Sequence, residues 1–355
     1  MKDIMLSVVI TNYNQIDYIE TAVESILKQD IGYEYEILIG DDGSSDGSYE
    51  LIIEKYGNNK RIKIFQMDRD NSIKEFSNWR HSRLIWYLLE RTEGKYLSVL
   101  DGDDYYCGKD GLKRKIDILE AEENKDCIAC TSATMSDVDG KIERIVYPNE
   151  MKKLNIKEVF FAKQRFFYQI ATCVFRRTVL QYADFNLPEL QGADQAILYF
   201  ILHYGKLYYT PEYDYVNRKL PNSIWHKGNA AEHALRIVIG TNISRKLYND
   251  FYFRRFWKDR NSIMYVYYNR KYIPQMIDWN MWSAWIDKYN LEIVKWLMGN
   301  KDVSLKTKIE MPISIGVLKV FEVFVYLKGA FSILFSKEVS FKEKKERIYK
   351  VLKAK

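Results

Sequence analysis

Apolar and polar positions alternate in blocks along the first hundred residues. Leu6–Ile10 is a largely apolar run that stops at polar Thr11–Asn14, as a buried strand does where it reaches a loop. Tyr18–Gln29 then places Ile19, Val23, Ile26 and Leu27 on one helical face. Glu36–Ile39 predicts a second strand, Ser48–Lys55 a second helix and Arg61–Phe65 a third strand. Residues 75–91 predict a longer helix, and Tyr96–Leu100 a fourth strand. This βαβαβαβ order predicts an α/β fold with a mainly parallel central sheet and helices on both faces. Ligands of such sheets gather beyond the C-terminal strand ends. Those ends are Thr11–Asn14, Asp41–Asp46 and Asp101–Asp104.

Past residue 110 the regular alternation is lost. Gly111–Glu123 predicts a helix, and Asp126–Thr134 and Gly140–Val146 predict strands around an Asp139-Gly140 turn. Residues 155–181 read as mixed, and Leu190–Gly205 becomes helical after Gly192-Ala193-Asp194. A strand and loop are expected through Tyr208–Ser223. Beyond about residue 230 only helical periodicity remains. The expected organisation is a domain over 1–230 and a helical C-terminal region over 231–355.

Composition adds bounds. With 355 residues and 47% apolar side chains, the chain can bury a sizeable core. Its net charge of +6 is uneven: Lys337–Lys355 holds seven Lys, one Arg and three Glu, a net of +5. Ile313, Val317, Val320, Phe321, Phe324, Leu327, Phe331, Leu334 and Phe335 mark an apolar helix face before that tail, interrupted by Lys319, Glu322 and Lys328. Such a face packs on its own domain, on a second copy of the chain or on an anionic membrane. No spanning helix, signal peptide or nucleic-acid partner is expected, and the reduced-cysteine pattern suits the cytoplasm or the inner face of its membrane. Cys127 and Cys130 have the spacing of a redox or zinc half-site, but no second pair follows. They are read as structural thiols on a strand, pointing to opposite faces.

The chemistry lies at the three strand ends. Carboxylates so concentrated repel one another unless a cation neutralises them. A hard divalent ion bound to phosphate would serve, with Gly102 in a tight turn that brings Asp101 and Asp103 to one ion. Each group alone is an ordinary turn; in this order, at successive strand ends, they form one pattern. The stretches Leu6–Asn14, Ile39–Asp46 and Gly94–Asp104 resemble family 2 glycosyltransferases, over about residues 5–225. Asp103–Tyr106 and Lys113–Glu120 are similar to a subgroup from bacterial surface-polysaccharide and glycoprotein-glycan pathways.

The resemblance implies a GT-A nucleotide-sugar-binding fold, an inverting mechanism, a UDP-sugar donor, Mn²⁺ or Mg²⁺, and a glycan acceptor on lipid or protein. It puts Thr11 and Tyr13 on base and ribose and Asp42 on the uracil imide. Arg80 and Asp101 would also contact the nucleotide. Asp101 and Asp103 would hold the metal, with Asp103 the direct ligand. Asp194 would be the general base, although Ala193 replaces the acid that usually precedes it. The Arg-Asn pair usual in the helix before the fourth strand is replaced by Ile85-Trp86. Asn78, Arg80 and Arg83 stand nearby, Arg80 being best placed. Arg218 is kept in the late loop, but Leu220 replaces a usual histidine. His226 is the substitute for diphosphate or metal, and Trp225 could stack on a sugar. The rivals are a non-catalytic sugar-nucleotide-binding module and a sugar-nucleotide pyrophosphorylase. The latter, like a dinucleotide-dependent dehydrogenase, would need glycines that Thr11–Asn14 lacks.

Overall fold

The computed structural model describes residues 3–69, 77–145 (77–79 as backbone), 149–155, 169–182, 197–198, 201–202 and 204–220. The alternating pattern becomes β1 (Leu6–Asn12), α1 (Ile19–Leu27), β2 (Tyr35–Asp41), α2 (Ser48–Tyr56), β3 (Ile62–Gln66), α3 (Ser77–Leu89) and β4 (Tyr96–Asp101). All seven residues of β1 are buried, as expected for a central strand covered on both faces. α1 buries Ile19, Ala22, Val23 and Ile26. Burial of each large apolar side chain there stabilises the fold by about 1.5–3 kcal/mol.

Strands β3, β2, β1 and β4 lie side by side, each pair parallel. This half of the sheet is the parallel one that the pattern predicts. The other half is mixed. It contains β5 (Tyr105–Tyr106), β6 (Cys127–Val138), β7 (Lys141–Arg144), β8 (Lys152–Leu154), β9 (Val174–Arg176) and β10 (Lys206–Arg218), with α4 (Gly111–Glu120) between β5 and β6. β9 runs antiparallel to both β4 and β6, while β10 runs parallel to β6 and antiparallel to β5. The order across the sheet is β3-β2-β1-β4-β9-β6-β10-β5. β5 follows β4 closely in sequence yet pairs with β10, at the edge of the sheet away from β3.

The Asp139-Gly140 turn forms as expected, with φ of 51° and 82° joining β6 to β7. Cys127 and Cys130 depart from expectation. The β6–β10 register skips Ile128, and a bulge there shifts the alternation by one residue. Both thiols therefore enter the same core cluster rather than opposite faces. The four cysteines are free, and burial pushes the Cys127 thiol up to about 11.

Residues 197, 198, 201 and 202 are helical, within the helix expected over 190–205. Asp194, Trp225, His226 and the region from 231 onward lie outside the described residues. Among the described residues no helix is long and apolar enough to cross a membrane.

Candidate functional site

The site lies at the C-terminal ends of β1, β2 and β4. At the end of β2, Asp41 and Asp42 take different roles. Asp41 is fully buried and builds the loop: its Oδ1 accepts from the amides of Gly43 and Ser44 at 2.9 Å, and its Oδ2 from Asn12 Nδ2 at 2.7 Å. Asn12 also donates to Ser48 Oγ at 2.9 Å, linking β1 to α2. Asp46 fastens the same loop, accepting from the Ile16 and Ser48 amides at 2.9 and 3.0 Å.

With Asp41 turned inward, Asp42 faces α3. Arg80 Nε reaches both of its oxygens, at 2.9 and 3.0 Å, and Arg80 NH2 reaches Oδ1 at 2.6 Å. Arg69 NH1 adds a contact to Oδ2 at 2.8 Å. Asp42 and Arg80 are 5% and 7% exposed, so this is a buried and closely paired set of charges. Arg80 also donates to the Asp68 carbonyl at 3.0 Å. Tyr13 is 40% exposed, and the Arg69 guanidinium lies 3.7 Å from its ring centroid.

At the end of β4, Thr11 Oγ1 donates to Asp101 Oδ1 at 3.1 Å. His81 Nε2 contacts the same oxygen at 2.8 Å and Thr11 Oγ1 at 3.2 Å. Gly102 lets β4 come this close to β1. Its amide donates to the Thr11 carbonyl at 2.9 Å, and a Cβ there would lie 2.7 Å from that carbonyl and 2.3 Å from Gln15 Oε1. Asp104, 1% exposed, is the hub of the loop. It accepts from the Tyr215 hydroxyl, from Asn217 Nδ2 at 3.0 Å and from the Arg218 amide at 2.8 Å. Arg218 NH1 donates to the Asp103 carbonyl at 2.7 Å. Its guanidinium lies over Tyr105 and Tyr18, at 4.5 and 5.2 Å from their ring centroids.

One carboxylate oxygen from each of Asp101, Asp103 and Asp104 falls within 4.8 Å of the other two. Burial opposes ionisation of Asp101, but the neighbouring His81 and the Thr11 hydroxyl outweigh it and hold the carboxyl below its ordinary range. Asp103 is pushed up to about 6, by burial first and then by the charge of Asp101, against the pull of His81 and Arg218. Burial and both neighbouring carboxylates raise Asp104 further, although Tyr215 and Asn217 favour its charged form. The protein thus brings three acids together and leaves their repulsion only partly relieved.

The fold gathers Thr11, Tyr13, Asp42, Arg80, Asp101, Asp103 and Arg218 at this end of the sheet. Sequence reasoning missed His81, Arg69, Asp104 as a hub, Tyr215 and Asn217. Tyr215 and Asn217 carried a readable signal, since residues two apart on a strand share a face. His81 and Arg69 carried none, because only the packing of α3 and the path after β3 bring them in.

Comparisons with known proteins agree with this fold. Residues 7–182 match Glycosyl transferase family 2. The chain is 28% identical over 194 residues to the poly(ribitol-phosphate) beta-N-acetylglucosaminyltransferase TarS of Staphylococcus aureus, covering 54% of this chain and 31% of that protein. It is 30% identical over 115 residues to the putative teichuronic acid biosynthesis glycosyltransferase TuaG of Bacillus subtilis, covering 32% of this chain and 42% of TuaG. The alignments therefore span less than half of either relative. A crystal structure of S. aureus TarS residues 1–349 in complex with UDP-GlcNAc shares the fold, with a TM-score of 0.54 at 17% identity over 73% of this chain and 72% of that one. Together with the acidic strand ends of a GT-A sheet, these matches make the chain a member of glycosyl transferase family 2.

Proposed function

We propose that the protein transfers a hexose from a UDP-sugar, with inversion, to a hydroxyl of a surface-glycan acceptor carried on lipid or protein. The observation that carries this reading is the division of labour at the sheet's end. A charge-paired Asp42 beside an exposed Tyr13 suits a base, and Asp101 and Asp103, brought together with their repulsion only partly relieved, suit a cation and a diphosphate. The TarS relative, named as an N-acetylglucosaminyltransferase and crystallised with UDP-GlcNAc, favours an N-acetylated donor.

The donor set fits a divalent ion. Asp104 is committed to Tyr215, Asn217 and the Arg218 amide, which leaves Asp101 and Asp103 as the pair to hold Mn²⁺ or Mg²⁺. Such an ion would act as a Lewis acid toward the departing diphosphate. Asp42, held in place by Arg80, accepts from the imide N–H of uracil, and the Tyr13 ring offers its face to the base. Thr11 lies between the base and Asp101. Arg218 sets a positive charge beside Asp103, at the side where diphosphate charge develops. Asp194 is the proposed base, taking the proton of the acceptor hydroxyl on the face opposite the leaving UDP. Trp225 and His226 are the proposed further contacts to sugar and diphosphate. The apolar helix and basic tail after residue 310 are proposed to meet a second copy of the chain or an anionic membrane surface.

The test is UDP release from a panel of UDP-sugars with Mn²⁺ or Mg²⁺ and an oligosaccharide acceptor, comparing wild type with Asp194→Asn. Transfer should fall by roughly 10²–10⁴ in the variant while UDP binding persists. No release from any donor would overturn the catalytic reading in favour of a binding module. Wild-type transfer by the variant would remove Asp194 from the mechanism.

A further inference from the structure

We propose that Arg69 sets the affinity for the donor's base by occupying the place that the base must take. The inference rests on the reading of Tyr13 and Asp42 as the base subsite. A uracil bound there would use two surfaces: the ring face of Tyr13 and an oxygen of Asp42 that accepts its imide proton. Arg69 uses both at once. Its guanidinium carbon is 3.7 Å from the Tyr13 ring centroid, and its NH1 donates to Asp42 Oδ2 at 2.8 Å. A guanidinium is planar, stacks on aromatic faces and donates in its own plane. It therefore reproduces the stacking and the N–H donation of a uracil ring.

The two arginines on Asp42 are not equivalent. The Arg80 side chain is 9% exposed, reaches both oxygens of the carboxylate and is also fastened to the Asp68 carbonyl. It holds Asp42 in place. The Arg69 side chain is 19% exposed and approaches from the side of exposed Tyr13. A carboxylate has about four lone-pair directions. Arg80 takes those on its own side, so an imide arriving over Tyr13 competes with Arg69. The backbone provides for this arrangement. Gly43 has φ of +73°, and a Cβ there would lie 2.6 Å from Arg69 Cβ. The Met67 amide donates to the Asp41 carbonyl at 2.8 Å, keeping the segment that leads to Arg69 alongside the end of β2.

Donor binding then requires Arg69 to leave the ring and the carboxylate. The experiment is calorimetric titration of the full-length protein with UDP, for wild type, Arg69→Ala, Arg69→Lys, Asp42→Ala, Tyr13→Ala and the Asp42→Ala/Arg69→Ala double variant. Arg69→Ala should bind UDP about fivefold more tightly, the scale of one exposed cation–π contact with a screened charge pair. Arg69→Lys should lie between it and wild type, because an ammonium pairs with Asp42 but presents no plane to Tyr13. In the Asp42→Ala background the gain from Arg69→Ala should shrink. Unchanged or weaker UDP binding in both Arg69 variants, with wild-type melting temperatures, overturns the proposal: in the second case Arg69 is a ligand of the nucleotide. A different failure marks the underlying reading. If Asp42→Ala and Tyr13→Ala bind UDP like wild type, the base subsite lies elsewhere, whatever Arg69 does.

Discussion

The ends of β2 and β4 are both rich in aspartate, and the structure handles them in opposite ways. At β2, Asp42 meets two guanidinium groups, while Asp41 is satisfied by backbone amides and Asn12. At β4, Asp101, Asp103 and Asp104 approach one another, with His81 and Arg218 beside them among the described residues. A carboxylate whose counter-charge is supplied by the protein can serve as a fixed hydrogen-bond acceptor. Carboxylates left to repel one another hold a proton or an external cation instead. Acidic motifs alike in sequence are therefore given different electrostatic character by the charges that the fold brings to them.

The largest effect expected from breaking this contrast is at Asp103. Asp103→Ala should lower sugar transfer by roughly 10³ or more, the scale of losing Lewis-acid stabilisation of a leaving group. A chelator should produce the same loss in wild type, measured as UDP release. Full activity in excess chelator would end the metal-dependent reading.

At the β2 end the matching change is to stability. Arg80→Ala leaves Asp42 buried with half of its compensation gone and should cost about 3 kcal/mol in a denaturant titration. A loss below about 0.5 kcal/mol would mean that Arg69 and water suffice, and that Arg80 is not the anchor.

Asp42→Ala sharpens the comparison on the side of binding. A charge-assisted hydrogen bond to the imide should be similar in ground and transition states, so its loss should raise the UDP Kd by about tenfold or more and lower kcat less. An unchanged Kd would remove Asp42 from the base subsite.

The smallest effect concerns pH. Asp103 has its carboxyl raised to about 6 from the ordinary 3.8, so the folded state holds this proton more tightly than the unfolded chain does. The native state thus gains stability as pH falls through 6, and above 6 the ionised carboxylate costs stability. In chelator, Asp103→Asn should be more stable than wild type at pH 8. The advantage should fade through pH 6 and vanish near pH 4, followed as Tm against pH. An equal Tm difference at pH 8 and pH 4 would refute the electrostatic account. Removing the Asp103 carboxyl is thus expected both to lower transfer and to stabilise the metal-free fold, as relief of repulsion among gathered like charges would do.

Much of this was legible before any coordinates. Strands β1 to β4, the helices between them and the three polar strand ends follow from the periodicity of buried positions, since a parallel sheet covered on both faces needs nearly continuous apolar strands. Family membership followed from motifs that lie within single loops. The mixed half of the sheet was only partly legible. β9 is three residues long and β5 two, too short to show a period. The bulge at Ile128, which places Cys127 and Cys130 in one core cluster, depends on the β10 register and not on the sequence of β6 alone.

The sequence by itself determined which residues could carry charge and at which strand ends they would stand. Only the tertiary structure decided which charges meet. His81 reaches Asp101 across 20 residues, Arg80 reaches Asp42 across 38, and Asn217 reaches Asp104 across 113. Electrostatic character depends on distance and burial, and both are properties of packing. A local motif can therefore specify an aspartate, while the packed fold decides whether it becomes a paired acceptor or a place for a cation.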